Sequence, residues 1–192
     1  MDDFLFYTKL GLNHILDPNA FDHLLFLVVL TLPYLYKQLH QLVLLVTVFT
    51  IGHTVSLWAA SAGIVHISPS LIEFLIPITI LLTAFHVLYW NNAISAKSST
   101  PFTLLAVFFG IIHGLGFSNY FSMVFADKGI GLPLLYFTLG IETAQIIAVI
   151  AVVFLNTALS RLGVSKHDRM LVGSSIIIGI LVPILISSAN AL

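Results

Sequence analysis

The sequence predicts an all-α membrane protein, a bundle of six transmembrane helices preceded by a short interfacial segment. Of the 192 residues, 59% are hydrophobic and only 8% are charged, with a mean hydropathy of +1.08, whereas about a quarter of a soluble domain is charged. Several apolar runs also reach the roughly 20 residues that a helix needs to cross a bilayer core of about 30 Å. Backbone amides in lipid must be satisfied within their own segment, and no alternating barrel pattern is present, so these runs are predicted to be helices.

Six apolar segments follow one another with short connections. A proline sits early in three of them, in SPS at the third, STP at the fourth and GLP at the fifth, where its missing N–H is harmless. The predicted spans are residues 21–36, 39–62, 69–91, 101–117, 132–160 and 168–188. No long linker marks a second domain. Residues 1–192 are therefore predicted to form one transmembrane domain, with residues 1–20 as an interfacial segment at the outer surface and residues 21–190 as the bundle.

The basic residues orient this bundle. With six alternating spans, one set of loops carries Lys37, Lys97, Arg161, Lys166 and Arg169. The other carries only Lys9 and Lys128. The positive-inside bias places the first set in the cytoplasm, so both termini are expected outside, with membrane lipids as the surroundings.

Composition also excludes several classes of function. The net charge is −1 and no basic cluster is present, so nothing indicates a nucleic-acid partner. Cysteine is absent, which excludes disulfides and thiolate metal ligands.

Ionisable side chains within the apolar spans point to a site. Each costs at least about 2.5 kcal/mol at the centre of a membrane helix and therefore needs a reason. Asp22 and His23 open the first span, His53 lies in the second, His113 in the fourth and Glu142 in the fifth. At about 1.5 Å per residue, all five fall in the predicted outer half. Because imidazole and carboxylate suit a borderline divalent ion such as nickel, zinc or iron, we predict that His53, His113 and Glu142 meet around one ion, with Asp22 and His23 at the mouth.

Neighbouring polar residues are expected to support these ligands. Thr138, Glu142 and Gln145 are spaced by four and three, so they share one face of the fifth helix. Gln145 is expected to orient the Glu142 carboxylate. Thr54 forms a similar polar patch beside His53.

Helix packing is the alternative for every histidine, since a single histidine in a membrane helix is more often a hydrogen-bonded packing residue. For His86, deeper in the third span, packing is the preferred interpretation and a place on an inner path is the alternative. Glu73 at the start of the third span is expected to cap the helix, and Asp17 before Pro18 to form a turn.

Four segments together resemble a known family. GLNHILDPNAFDHLLFLVVL, TVFTIGHTVSL, GIIHGLGF and LGIETAQ are similar, in order and spacing, to signature segments of the HupE/UreJ family of small bacterial membrane proteins. The resemblance implies a six-helix protein of the bacterial inner membrane, linked to hydrogenase and urease maturation, with a proposed role in nickel uptake. It implies functional positions at His14, Asp22, His23, His53, His113 and Glu142. The segment between His14 and Asp22 is longer here, with DPNAF in place of a Gly-centred turn.

Three functions use these residues. The first is a permease for a divalent metal, preferentially nickel, driven by a gradient or a potential because the chain has no ATP-binding motif. The second is an intramembrane zinc-dependent hydrolase acting on a lipid or peptide, in which three histidines hold zinc and Glu142 or Asp22 is the general base. The third is a structural or sensory bundle that binds no metal. The sequence leaves transport, catalysis and the identity of the ion open.

Overall fold

Every regular element that the structure describes is helical, which confirms the all-α class. The computed structural model describes residues 3–17, 22–89, 100–125 and 129–192. Its α-helices are α1 (Asp3–Leu16), α2 (Asp22–Thr31), α3 (Leu39–Ser61), α4 (Pro69–Tyr89), α5 (Thr100–Phe125), α6 (Gly131–Arg161) and α7 (Lys166–Ala189). A short 3-10 helix, Tyr36–Gln38, precedes α3.

The prediction of six full spans is confirmed only in part. Within the described ranges, four helices are long and apolar enough to cross a membrane, namely α3 with the preceding 3-10 turn, α4, α6 and α7. Two further apolar helices are shorter, α2 and the segment Thr103–Ser118 of α5. With 10 residues, α2 is about 15 Å long, roughly half of a bilayer core of about 30 Å.

The first predicted span is too long because α2 stops inside it. Pro33 lacks a backbone N–H and disfavours the helical conformation of the residue before it, so the helix ends at Thr31 rather than at residue 36. The carbonyls of Thr31 and Leu32 accept hydrogen bonds from Nδ2 of the buried Asn156 in α6, at 3.2 and 3.4 Å. This amide satisfies acceptors that the end of the helix leaves free, so the break is tolerated within the protein.

The segment expected at the interface contains a helix that packs along α6. A Cβ on Gly11 of α1 would overlap the Phe137 carbonyl, and a Cβ on Gly140 of α6 would overlap the Thr8 carbonyl. The two glycines therefore allow the backbones to approach closely. This contact fixes α1, and with it His14, against the bundle. The interfacial position of residues 1–20 stays a prediction, and residues 18–21 lie outside the described ranges.

The core of the protein is formed where the other helices pack against one another. Helix α3 packs along α5, α4 packs along α7, and α2 contacts α4, α6 and α7. A Cβ on Gly110 would overlap the Phe49 carbonyl, and a Cβ on Gly114 would overlap the His53 carbonyl, so α5 lies unusually close to α3. The predicted bounds of the spans in α3, α4, α6 and α7 hold to within two residues where the chain is described, whereas α5 continues to Phe125 rather than ending at residue 117.

Candidate metal centre

Four helices each bring one histidine to the same place. The residues are His14 of α1, His23 of α2, His53 of α3 and His113 of α5, referred to below as the histidine cluster. His14, His23 and His53 each offer a ligand atom, and these atoms lie within 4.8 Å of one another. The ring centroids of His14 and His23 are 4.7 Å apart, and the His113 ring lies 5.1 Å from that of His23. Residues far apart in sequence thus form one imidazole-rich site.

The cluster contains buried ring nitrogens whose hydrogen-bonding capacity is not used by the described part of the protein. The Nε2 atom of each of the four histidines is buried and has no hydrogen-bond partner among the residues that the structure describes, and for His53 this also applies to Nδ1. Leaving such a group buried and unpaired costs about 1–3 kcal/mol. A transition-metal ion would use these lone pairs, so the donor set fits a borderline divalent cation such as nickel or zinc.

Hydrogen bonds to two of the rings determine which nitrogen is available. Nδ1 of His23 lies 3.2 Å from Oδ1 of Asp22, and Nδ1 of His113 lies 2.8 Å from the Phe109 carbonyl. Both partners are acceptors, so each Nδ1 carries the proton and each Nε2 presents a lone pair. This is the arrangement that metal-binding histidines usually show.

Asp22 also affects the electrostatics of the cluster. Its Oδ1 accepts a hydrogen bond from the backbone N–H of His23 at 3.0 Å, at the first turn of α2. The N-terminus of a helix carries a partial positive charge that disfavours a cation. The carboxylate offsets that charge beside the imidazoles.

His14 is surrounded by aromatic rings. Its ring centroid lies 4.0 Å from that of Phe117 and 5.6 Å from that of Phe137, and these two phenylalanines stack on each other at 5.1 Å. Burial lowers the pKa of the His14 imidazole well below its ordinary value, and the nearby His23 lowers it further. His14 therefore stays neutral at neutral pH, in the form that binds metals.

A cavity of about 510 Å³ borders the histidine cluster. It is called the outer cavity below, after the side on which the predicted orientation of the chain would place it. Its histidine and carboxylate lining residues are His14, Asp17, Asp22, His23, Glu73 and His113. Three carboxylates at one entrance raise the local concentration of cations. Asp17 and Glu73 were expected only to form a turn and a cap, because sequence position alone did not show that they border the same cavity as the histidines.

Glu142 is not one of the residues whose ligand atoms lie within 4.8 Å of one another, which are His14, His23 and His53. Thr47 of α3 donates a hydrogen bond to Oε1 of Glu142 at 2.5 Å, and the Thr50 hydroxyl contacts Oε2. Thr50 also contacts Oε1 of Gln145 at 2.7 Å, so Gln145 and Glu142 share one partner. These contacts link α6 to α3. Direct binding of the ion by Glu142 stays a prediction.

Two further residues expected to support the ligands contact each other. The hydroxyls of Thr54 in α3 and Thr138 in α6 lie 3.1 Å apart. Because Thr54 follows His53 in sequence, this contact helps to fix the rotation of α3 next to a cluster histidine.

His86 lies away from the cluster. Together with Thr83 it borders a second, mostly apolar cavity of about 230 Å³. It is called the inner cavity below, again after the predicted orientation. The structure thus associates His86 with a separate compartment. Its place on an inner path stays a prediction.

Sequence reasoning missed three phenylalanines that lie against the cluster. Phe26 stacks on Phe49 at a centroid distance of 4.7 Å, and their centroids lie 5.8 and 5.3 Å from that of His113. Phe109 supplies the carbonyl that His113 contacts. A signal for them exists in the sequence. Phe26 comes three residues after His23, and Phe49 and Phe109 each come four residues before a histidine, so each lies one helical turn from a cluster residue.

Comparison with known proteins agrees with the motif resemblance. A family model described as HupE / UreJ protein matches residues 1–188 of the chain. No curated protein and no solved structure matches the chain. The matched range contains all four helices that supply the cluster, so the resemblance extends over the whole candidate site.

Proposed function

The chain belongs to the HupE/UreJ family, and from this premise we propose that it is a permease for a divalent transition-metal ion, with nickel as the preferred cargo and zinc as the alternative. The observation that supports this most strongly is the set of four buried Nε2 atoms that have no hydrogen-bond partner in the described part of the chain. A structural bundle would be expected to satisfy those atoms within the protein.

The chemistry of the cluster matches such a cargo. Imidazole nitrogen binds nickel, zinc and copper well, whereas magnesium and calcium prefer oxygen ligands. Asp22 contributes negative charge beside His23, and His23 supplies the nitrogen ligand. In this proposal Asp22 is a supporting residue, and Glu142, Gln145, Thr54 and Thr138 hold α3 and α6 in the arrangement that the cluster requires.

The outer cavity supplies a route to the cluster. A hydrated ion would first meet Asp17, Asp22 and Glu73 and would then exchange water for imidazole nitrogen at the cluster. A membrane potential contributes about 2.3 kcal/mol per charge per 100 mV, so it favours inward movement of a divalent ion by about 4.6 kcal/mol.

We further propose that the protein lies in the bacterial inner membrane with both termini outside. This orientation rests on the distribution of Lys and Arg among the loops. It places the start of α2, and therefore the outer cavity, on the outer side. Exposed apolar side chains such as Phe154, which is 76% accessible, would then face lipid.

The hydrolase alternative finds less support. It needs a carboxylate that takes a proton from the attacking water beside the metal. The Asp22 carboxylate is hydrogen-bonded to His23, and that of Glu142 contacts Thr47 and Thr50. Transport needs no such base, so we favour it.

Two measurements test the proposal. Protein purified without chelator should contain close to one equivalent of nickel or zinc after loading, and proteoliposomes should take up nickel faster than empty vesicles. The double substitution His23→Ala and His53→Ala should abolish both signals. His40→Ala, which changes an exposed histidine outside the cluster, is the matched control. Uptake no faster than in empty vesicles would refute the permease, and unchanged metal content in the double variant would refute the site.

A further inference from the structure

A single layer of side chains separates the outer cavity from the inner cavity. His113 borders the outer cavity, whereas Phe26 and Phe109 border the inner one. The centroids of Phe26 and His113 are only 5.8 Å apart. The two compartments therefore lie on opposite faces of a barrier about one residue thick.

The layer is closed and apolar. Phe26, Phe49 and Phe109 are each at most 3% accessible. Phe26 stacks on Phe49 at 4.7 Å and meets Phe109 edge-on at 6.3 Å. Hydrophobic constrictions exclude water and ions even where a narrow opening exists. An ion held at the histidine cluster cannot pass this layer in the arrangement that the structure shows.

The inner cavity has room for an ion with part of its hydration shell. Its volume of about 230 Å³ compares with roughly 30 Å³ for one water molecule. Thr83 and His86 are its polar lining residues, and the remaining lining is apolar. Such walls would hold an ion only weakly, which suits a compartment that an ion leaves rather than one that stores it.

We propose that Phe26, Phe49 and Phe109 form the inner gate of the permease and that Phe26 is its moving part. This inference rests on the proposed function, because a gate has a purpose only if an ion crosses the bundle. It adds to that function the barrier that controls passage from the histidine cluster to the inner cavity.

We infer that Phe26 is the residue that moves because it lies in the short helix α2. His23 and Phe26 are three residues apart on the same short helix, so they lie on neighbouring positions of one face. A small shift of α2 that draws His23 toward an ion also displaces Phe26 from Phe49 and Phe109. Phe49 and Phe109 belong to α3 and α5, which glycines hold in close contact, so these two are expected to stay in place.

Reactivity of a single introduced thiol tests the barrier without any metal. The chain has no cysteine, so Thr83→Cys places the only thiol at the inner cavity and Asn13→Cys places one at the outer cavity. A charged, membrane-impermeant methanethiosulfonate reagent is added to the outside of sealed proteoliposomes that hold the protein in the proposed orientation. We expect Asn13→Cys to react readily and Thr83→Cys to react at least tenfold more slowly.

Opening the layer should expose the inner position. In a Phe26→Ala background Thr83→Cys should react at least tenfold faster, and Phe26→Leu, which keeps most of the volume, should give a smaller increase. Phe121→Ala is the matched control, since it removes a fully buried phenylalanine of α5 outside the layer and should leave the rate unchanged. If Phe26→Ala does not fold, Phe26→Leu alone decides the question by the same comparison.

Three results would overturn the gate. They are rapid labelling of Thr83→Cys with native Phe26, no acceleration with either Phe26 variant, and equal acceleration with Phe121→Ala. Each can be observed whether or not metal is transported. Failure of the permease would instead appear as absent nickel uptake by the unmodified chain, so the two failures are distinguishable.

Discussion

Nδ1 of His23 lies 3.2 Å from Oδ1 of Asp22, the residue that precedes it in the chain. This contact orients the imidazole of His23, which is 4% accessible, so that Nε2 is left for the cluster. Neighbours in sequence rarely need each other for packing. In the proposed site, the Asp-His pair at the start of an apolar helix is explained by the orientation and charge that the carboxylate gives to the candidate ligand His23.

The first prediction concerns this pair. Asp22→Asn keeps the shape of the side chain and removes its negative charge, so His23 loses its charged acceptor and the ion loses a compensating charge. We expect the metal affinity to fall about 10- to 100-fold, the usual effect of removing such a partner. Titration with nickel, followed by calorimetry in detergent, measures it. Asp168→Asn, at an exposed residue near the start of α7, is the control and should bind as tightly as the native chain.

The second prediction concerns the coupling of metal binding to stability. Ligands that bind only the folded state stabilise it, by about 2.7 kcal/mol at a concentration of 100 times Kd. Nickel should therefore raise the thermal unfolding temperature of the native protein. His53→Ala removes a residue whose two ring nitrogens make no hydrogen bond to any described residue, so most of this increase should disappear. Differential scanning fluorimetry with and without nickel measures the shift, and an equal shift in both proteins would contradict the site.

Much of the fold could be predicted because it depends on local properties. Hydropathy located α3 closely, and hydropathy with an early proline located α4, since a helix in lipid must satisfy its own backbone along its length. Pro33 is a local signal for the end of α2, but a longer span was predicted because the residue whose amide accommodates the break, Asn156, lies more than a hundred positions away. No local pattern contains that information.

The sequence indicated which residues are candidates for a metal site but not how they are arranged in space. Buried histidines in apolar helices indicated a metal centre, since such residues need a reason to be there. Which of them meet depends on how each helix is rotated about its axis. That rotation is set by contacts between helices, such as the close approach at Gly114, and it turned Glu142 toward Thr47 and Thr50 rather than toward the cluster of ring nitrogens.

The third prediction tests the polar contact between α3 and α6. Thr50→Val keeps the shape and removes the hydroxyl that meets Glu142 and Gln145. Two buried or partly buried polar groups would lose a partner, at a cost of about 1–3 kcal/mol. We expect a lower unfolding temperature together with weaker metal binding, because α3 also carries His53.

The control for this prediction is Thr143→Val on α6. Thr143 is exposed and its hydroxyl donates to the Leu139 carbonyl of its own helix at 2.7 Å. It should leave both the unfolding temperature and the metal affinity close to the native values. If the two threonine variants behave alike, the contact between α3 and α6 does not support the site.

The fourth prediction concerns the glycine that brings α5 against α3. A methyl group on Gly114 would overlap the His53 carbonyl and the Ser56 hydroxyl oxygen, so Gly114→Ala must push the two helices apart. Because His53 and His113 lie on these helices, the change should both destabilise the protein and weaken nickel binding. Gly179→Ala in α7 is the matched control, since nothing lies within 4 Å of the added carbon. Alanine favours a helix over glycine by about 1 kcal/mol, so the control should be neutral or slightly stabilising. Unfolding temperature and nickel affinity are measured for both variants. An unchanged affinity in a destabilised Gly114→Ala protein would mean that the spacing of α3 and α5 does not control the cluster.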